Sequence, residues 1–130
     1  MASTRLLWAQ LFTALLVAIL HIAALQWDLY FYYYWFDMVT HTIGGIFIAL
    51  AAASVAVHFG MRISVPFCIF IALIIGLGWE VFEYVFHIPQ TNWISYPLDT
   101  AKDIVMDTFG GTIGACIARY IASHDRIIVQ

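Results

Sequence analysis

An all-α bundle of four membrane-crossing helices is the fold class predicted by this sequence, and two observations predict it. Of the 130 residues 64% are apolar and only 10% charged, a balance far from that of a water-soluble domain. The apolar residues also gather into four runs, 6–25, 36–59, 63–86 and 100–123. Each is long enough to cross a hydrocarbon core of about 30 Å as a helix rising about 1.5 Å per residue. A chain this short forms one integral membrane domain, residues 1–130,. None of the runs has the short alternation of an outer-membrane barrel strand.

The first run follows Arg5 and has Ala23 and Ala24 near its end, as a cleaved signal peptide would. Its length exceeds the roughly 15 residues of a signal core, so it reads as a retained helix. The second run opens after the aromatic segment Trp27, Tyr30, Tyr32, Tyr33, Tyr34 and Trp35, and carries Asp37 and His41. The third ends on Glu80 and Glu83, and the fourth follows Trp93, Tyr96 and Pro97 and carries Asp103 and Asp107. The aromatic clusters read as an interfacial belt at one membrane boundary.

Basic residues set the orientation. With four crossings, Arg5, Arg62, Arg119 and Arg126 share one side, opposed by Lys102 alone. That side is expected to be the cytoplasm of a cell bounded by a bacterial-type plasma (inner) membrane, in a multi-pass arrangement with both termini cytoplasmic. Cys68 and Cys116 then lie toward the cytoplasmic end, where a stable disulfide does not form, and both read as small buried apolar residues.

Of the eight carboxylates, Asp28, Asp37, Glu80, Glu83, Asp99, Asp103 and Asp107 fall on the outer side. Counted from the helix ends, Asp37 lies about 3 Å and His41 about 9 Å deep, Asp103 and Asp107 about 7 and 13 Å, and Glu83 and Glu80 roughly 5 to 10 Å. Spacings of three and four put each set on one helical stripe. An acid facing lipid near the bilayer centre costs about 2.5 to 3.5 kcal/mol, so each stripe must look inward. Acids so gathered are either protonated or compensated by a cation.

Lys102 can neutralise one acid from outside the ligand set, though its place beside Asp103 does not by itself aim it inward, and a divalent metal compensates better. Carboxylates with one imidazole suit Mg, Mn, Ca or Zn. The candidate metal ligands are Asp37, His41, Glu80, Glu83, Asp103 and Asp107, with Glu83 also a candidate general base. Asp99, after Pro97, reads as a helix cap, and His21 as a structural histidine within reach of the cluster. Asp28 reads as solvated loop charge, and His58, His87 and His124 as hydrated groups at helix ends. Gly44, Gly45, Gly76, Gly78, Gly110, Gly111 and Gly114 flank the polar stripes and are expected to let helices approach closely, the Gly110–Gly114 pair making an intramolecular contact.

The run Asp37-x3-His41-x3-Gly45, the segment Trp79-Glu80-x2-Glu83 and the run Asp99-Thr100-x2-Asp103-x3-Asp107-x2-Gly110 resemble the YjdF-like bacterial inner-membrane proteins and, more distantly, the VanZ-like family. The resemblance implies a compact bundle of membrane helices with the motifs facing one another. VanZ-like proteins are associated with resistance to glycopeptide antibiotics of the teicoplanin type. Where they often carry Lys, Gln and Asn, this chain has Met38, Glu83 and Asp107, a more acidic set that favours a cation.

Three functional classes fit these residues. One is metal-dependent chemistry on a lipid-linked or envelope substrate. Another is a proton- or cation-coupled transporter. The third is a structural or binding protein whose polar core fixes helix register. No Ser-His-Asp order, phosphate-binding loop, dinucleotide fingerprint or HExxH motif is present,. The lipid bilayer is the expected partner, and nucleic acid is not.

Overall fold

The computed structural model describes residues 4–88 and 94–125. Trp93 and Arg126, assigned above to the outer aromatic belt and the basic side, lie outside them. The described residues are helical, in the order α1 (Thr4–Gln26), α2 (Leu29–Tyr32), α3 (Tyr34–His58), α4 (Val65–Phe86) and α5 (Tyr96–His124). Three of these, α1, α3 and α4, are long and apolar enough to cross a membrane. The helix α5 is longer still at 29 residues, but the acids and lysine in its first half dilute its apolar character.

Local chemistry explains the boundaries. Asp28 adopts the left-handed conformation (φ 53°) between α1 and the single turn α2, and it is exposed, in keeping with loop charge. This small helix within the aromatic segment had no separate signal in the sequence. Between α3 and α4, Gly60 takes φ 68°, where a side chain would be strained,. Ser64 then caps α4, its hydroxyl accepting from the Phe67 N–H, with Pro66 in the first turn,. The helix α5 starts at Tyr96 with Pro97 in its first turn, about a turn before the apolar run at residue 100. His58 and His124 close α3 and α5, and His87 caps α4.

The helices α3 and α5 form the centre of the bundle, with α4 packed on both and α1 leaning on α3. Their joint is made of small residues. A Cβ at Gly110 would strike the Thr42 carbonyl, one at Gly45 the Asp107 carbonyl, and one at Gly114 the Ile46 carbonyl. Gly76 and Gly111 similarly seat α4 against α5, through Asp107 and Ala72,. Gly44 and Gly78 differ from the expectation, because a Cβ at either meets nothing within 4 Å. They open space instead of closing it.

Away from the acids, Leu6, Ala49, Leu50, Ala52, Ala53, Cys68, Ala115 and Ala118 make an apolar core. Cys68 is buried as expected, whereas Cys116 is exposed on the outside of α5. It falls beside the buried stripe that includes Ala115 and Ala118, a distinction of one helical step,.

Candidate functional site

Three helices bring their polar stripes to one level. His41 of α3 is 8% exposed and Asp99, Asp103 and Asp107 of α5 and Glu80 of α4 are buried around it. Close approach at the glycines of α3 and α5 makes this meeting sterically open.

The two nitrogens of His41 face different groups. Nδ1 is 3.3 Å from Asp107 Oδ1. Nε2 looks the other way, 3.5 Å from Asp37 Oδ1, 3.9 Å from Glu80 Oε1 and 4.0 Å from Asp103 Oδ1. These separations are too long for good hydrogen bonds. They match the roughly 3 to 4 Å between two ligands that each sit about 2.0 to 2.2 Å from one ion. Ligand atoms of Asp37, His41 and Asp103 lie within 4.8 Å of one another, as do those of His41, Glu80 and Glu83. Asp107 Oδ1 stands beside the imidazole Nδ1, where a carboxylate fixes ring orientation and tautomer,.

Lys102 takes the side its sequence position left open. Its Nζ points inward, 2.6 Å from Asp99 Oδ1, 2.9 Å from Asp37 Oδ2 and 3.2 Å from Asp103 Oδ1, and lies 5.0 Å from the centroid of the Tyr34 ring. Asp99 lies in the first turn of α5 and is also a buried ion-pair partner of Lys102; the Ser95 side chain makes no cap bond there. The lysine neutralises one side of the cluster only. Glu80 Oε1 and Asp107 Oδ2 are buried and accept no hydrogen bond from the described residues, a state that costs free energy unless a proton, water or cation meets them.

Glu83 accepts a 2.9 Å hydrogen bond from Trp79 Nε1, one turn earlier on α4. His21 does not join the acids directly. Its Nδ1 is 2.7 Å from the Tyr30 hydroxyl, and its ring meets Trp79 edge-on. Burial pushes the Tyr30 phenol up to about 12, with the Thr40 hydroxyl opposing, so it keeps its proton and can donate to His21. Tyr30, Tyr34, Thr40 and Trp79 were not singled out as site residues in the sequence. Only Trp79 left a signal, through its i,i+4 spacing from Glu83.

A cavity of about 330 Å³ runs from this cluster between α1 and α4, bounded by Asp37, His41, Glu83 and Asp107 at its polar end and by Val17, Phe47, Ile48 and Ile75 along its walls. The backbones of α1 and α4 stay apart, so the cavity is a slot between them, bridged by the edge-on His21 and Trp79 rings.

A family model described as a predicted membrane protein (DUF2238) matches residues 3–124. The chain belongs to this family. DUF2238 is the family of the YjdF-like proteins, so the resemblance of the motifs is answered at that level. No curated protein and no solved structure matches the chain. Family membership makes this DUF2238 chain a membrane protein, in agreement with its three apolar helices.

Proposed function

We propose that this DUF2238 protein crosses a bacterial inner membrane four times, with both termini cytoplasmic, and holds a divalent cation in an outward-facing site. The fourth crossing is α5, whose polar residues are turned into the bundle. A cysteine scan tests the sidedness on a background in which Cys68 and Cys116 are replaced. A membrane-impermeant thiol reagent added to intact cells should label Tyr33→Cys and leave Met61→Cys unlabelled. The opposite pattern would invert the orientation.

The observation that carries the site is the setting of His41, with Nδ1 on Asp107 and Nε2 turned to carboxylates at ion-bridging separations. Lys102 already serves Asp37 and Asp103, and an ammonium and a divalent ion repel at the same oxygens. The ion is therefore assigned to His41 and Glu80, with Glu80 Oε1 free to ligate and Glu83 beside them as the spare carboxylate. Asp37 and Asp103 become the Lys102 side of the site, and Asp107 orients the imidazole. The donor set of one nitrogen and carboxylate oxygens suits Mn or Zn, and less closely Mg or Ca.

An ion there would activate water or polarise a phosphoryl or ester oxygen. Glu83 reaches the cavity and is the carboxylate placed to take a proton from a nucleophile in it,. The substrate is then a lipid-linked or envelope molecule entering from the bilayer. Transport is the weaker reading, because the apolar core of Ala49, Ala53, Cys68, Ala115 and Ala118 lies beyond the acids instead of a polar route.

Elemental analysis of protein purified with supplemented metal tests the assignment. Wild type and Asp28→Asn should each retain about one ion per chain, and Glu80→Gln should retain none, because loss of a ligand leaves the remaining acids uncompensated. A wild type without metal would sink the proposal.

A further inference from the structure

We infer that Asp37, Asp99 and Asp103 form a second cation site, distinct from the one at His41 and Glu80, and that the chain's own Lys102 ammonium is its resident. Removing the ammonium turns it into a site for a hard divalent ion, of which calcium fits best. The inference goes beyond the proposed ion and does not require it.

The occupant is visible in the structure. Lys102 Nζ is 2.6 Å from Asp99 Oδ1, 2.9 Å from Asp37 Oδ2 and 3.2 Å from Asp103 Oδ1, so carboxylates of α3 and α5 converge on one positive centre. The side chains of Lys102, Asp99 and Asp103 are no more than 10% exposed, and the Tyr34 ring lies 5.0 Å from the ammonium. The fit is incomplete at one oxygen. Lys102 donates hydrogen bonds to Asp37 and Asp99, but Asp103 Oδ1 is buried and accepts none from the described residues. An ammonium must aim its N–H bonds, whereas a metal ion has no donor directions and can serve all three acids at once.

Donor type and distance select the ion. The donors are carboxylate oxygens alone, which suits hard cations and disfavours zinc. Calcium takes oxygens at about 2.3 to 2.6 Å in a flexible shell, whereas magnesium demands about 2.0 to 2.1 Å and a near-octahedral one. Calcium therefore asks the smaller contraction of oxygens that stand 2.6 to 3.2 Å from the nitrogen. The two cation positions adjoin at Asp37, which turns Oδ2 to Lys102 and Oδ1 toward His41 Nε2, 3.5 Å away. Asp99, in contrast, pairs with Lys102 alone among the described residues. Lys102 thus fixes how many exchangeable ions the centre takes, because a charge that belongs to the chain holds one position whatever the metal supply.

The test uses the full chain in detergent and the variant Lys102→Ala, which clears the long stem and leaves room for an ion with its waters. Calcium bound at equilibrium and melting with calcium or chelator are measured on wild type, Lys102→Ala and Lys102→Ala/Asp99→Asn. Lys102→Ala should bind about one calcium per chain more than wild type, and calcium should raise its melting temperature by more than it raises that of wild type. The double variant should bind no more calcium than wild type, because Asp99 serves this position and not the one at His41. Three results would each overturn the inference: calcium binding by Lys102→Ala equal to wild type, extra calcium that survives the loss of Asp99, or a Lys102→Ala protein that folds neither with nor without calcium. Manganese and zinc measured on the same samples keep the two readings apart. A wild type without metal beside a variant that gains calcium would remove the ion at His41 and leave this site; metal in wild type with no calcium gain in the variant would do the reverse.

Discussion

Lys102→Met should destabilise the folded protein by about 3 to 5 kcal/mol, the usual cost of breaking a buried ion pair from one side. The lysine sits among Asp37, Asp99 and Asp103, at 2.9, 2.6 and 3.2 Å. Methionine keeps the volume and removes the charge, so the effect reports electrostatics instead of packing. Thermal or denaturant unfolding in detergent, followed by helical circular dichroism, reads it. Adding Asp103→Asn to Lys102→Met should recover part of the loss, since one repelling charge is gone, whereas Asp28→Asn should recover none. A Lys102→Met protein as stable as wild type would mean that the three acids are compensated by something other than the lysine.

Gly110→Val should prevent the bundle from closing, and Gly110→Ala should cost about 1 to 3 kcal/mol or more, as overpacking does. The obstruction is backbone: a Cβ at Gly110 meets the Thr42 carbonyl of α3, which no side-chain rotation relieves. Moving α5 away would also part Asp107 from His41, so both ion retention and stability should fall together. Gly44→Ala is the control. It adds the same methyl group where nothing lies within 4 Å, and should be neutral or stabilising by about 0.5 to 1 kcal/mol through helix propensity. Similar losses at both glycines would show that the joint between α3 and α5 is not the source of the effect.

Helical periodicity carried most of the fold and the gathering of the acids. Spacings of three and four between Asp37 and His41, Glu80 and Glu83, and along Asp99, Asp103 and Asp107 place each set on a stripe, and the cost of acids in lipid turns the stripes inward. Periodicity could not say which nitrogen of His41 meets which acid, because that depends on ring rotation and on the depth at which α3 and α5 cross. In the sequence Asp107 is therefore one more acid on the stripe, with no sign that one of its oxygens meets Nδ1. Lys102 was opaque for a similar reason: its long stem can bend round the helix toward Asp37, a partner 65 residues away,. The slot had no sequence signal either, since Val17, Phe47 and Ile75 have the same composition as lipid-facing residues. Gly44 and Gly78 were indistinguishable from the packing glycines because a glycine that makes room and one that closes a gap are the same letter.

The polar first half of α5 bears on biosynthesis. In the proposed topology α1, α3 and α4 can each partition from the insertion machinery into lipid on hydrophobicity alone,. The helix α5, carrying Asp99, Lys102, Asp103 and Asp107, is poorly suited to do so as an isolated segment. Its ammonium has Asp37 waiting on α3 and its Asp107 has His41, so the last helix enters as the partner of one already in place. A nascent chain cut short before Tyr96 would hold His41, Asp37 and Glu80 in the membrane without their counterparts, which makes such a fragment a natural substrate for membrane quality control.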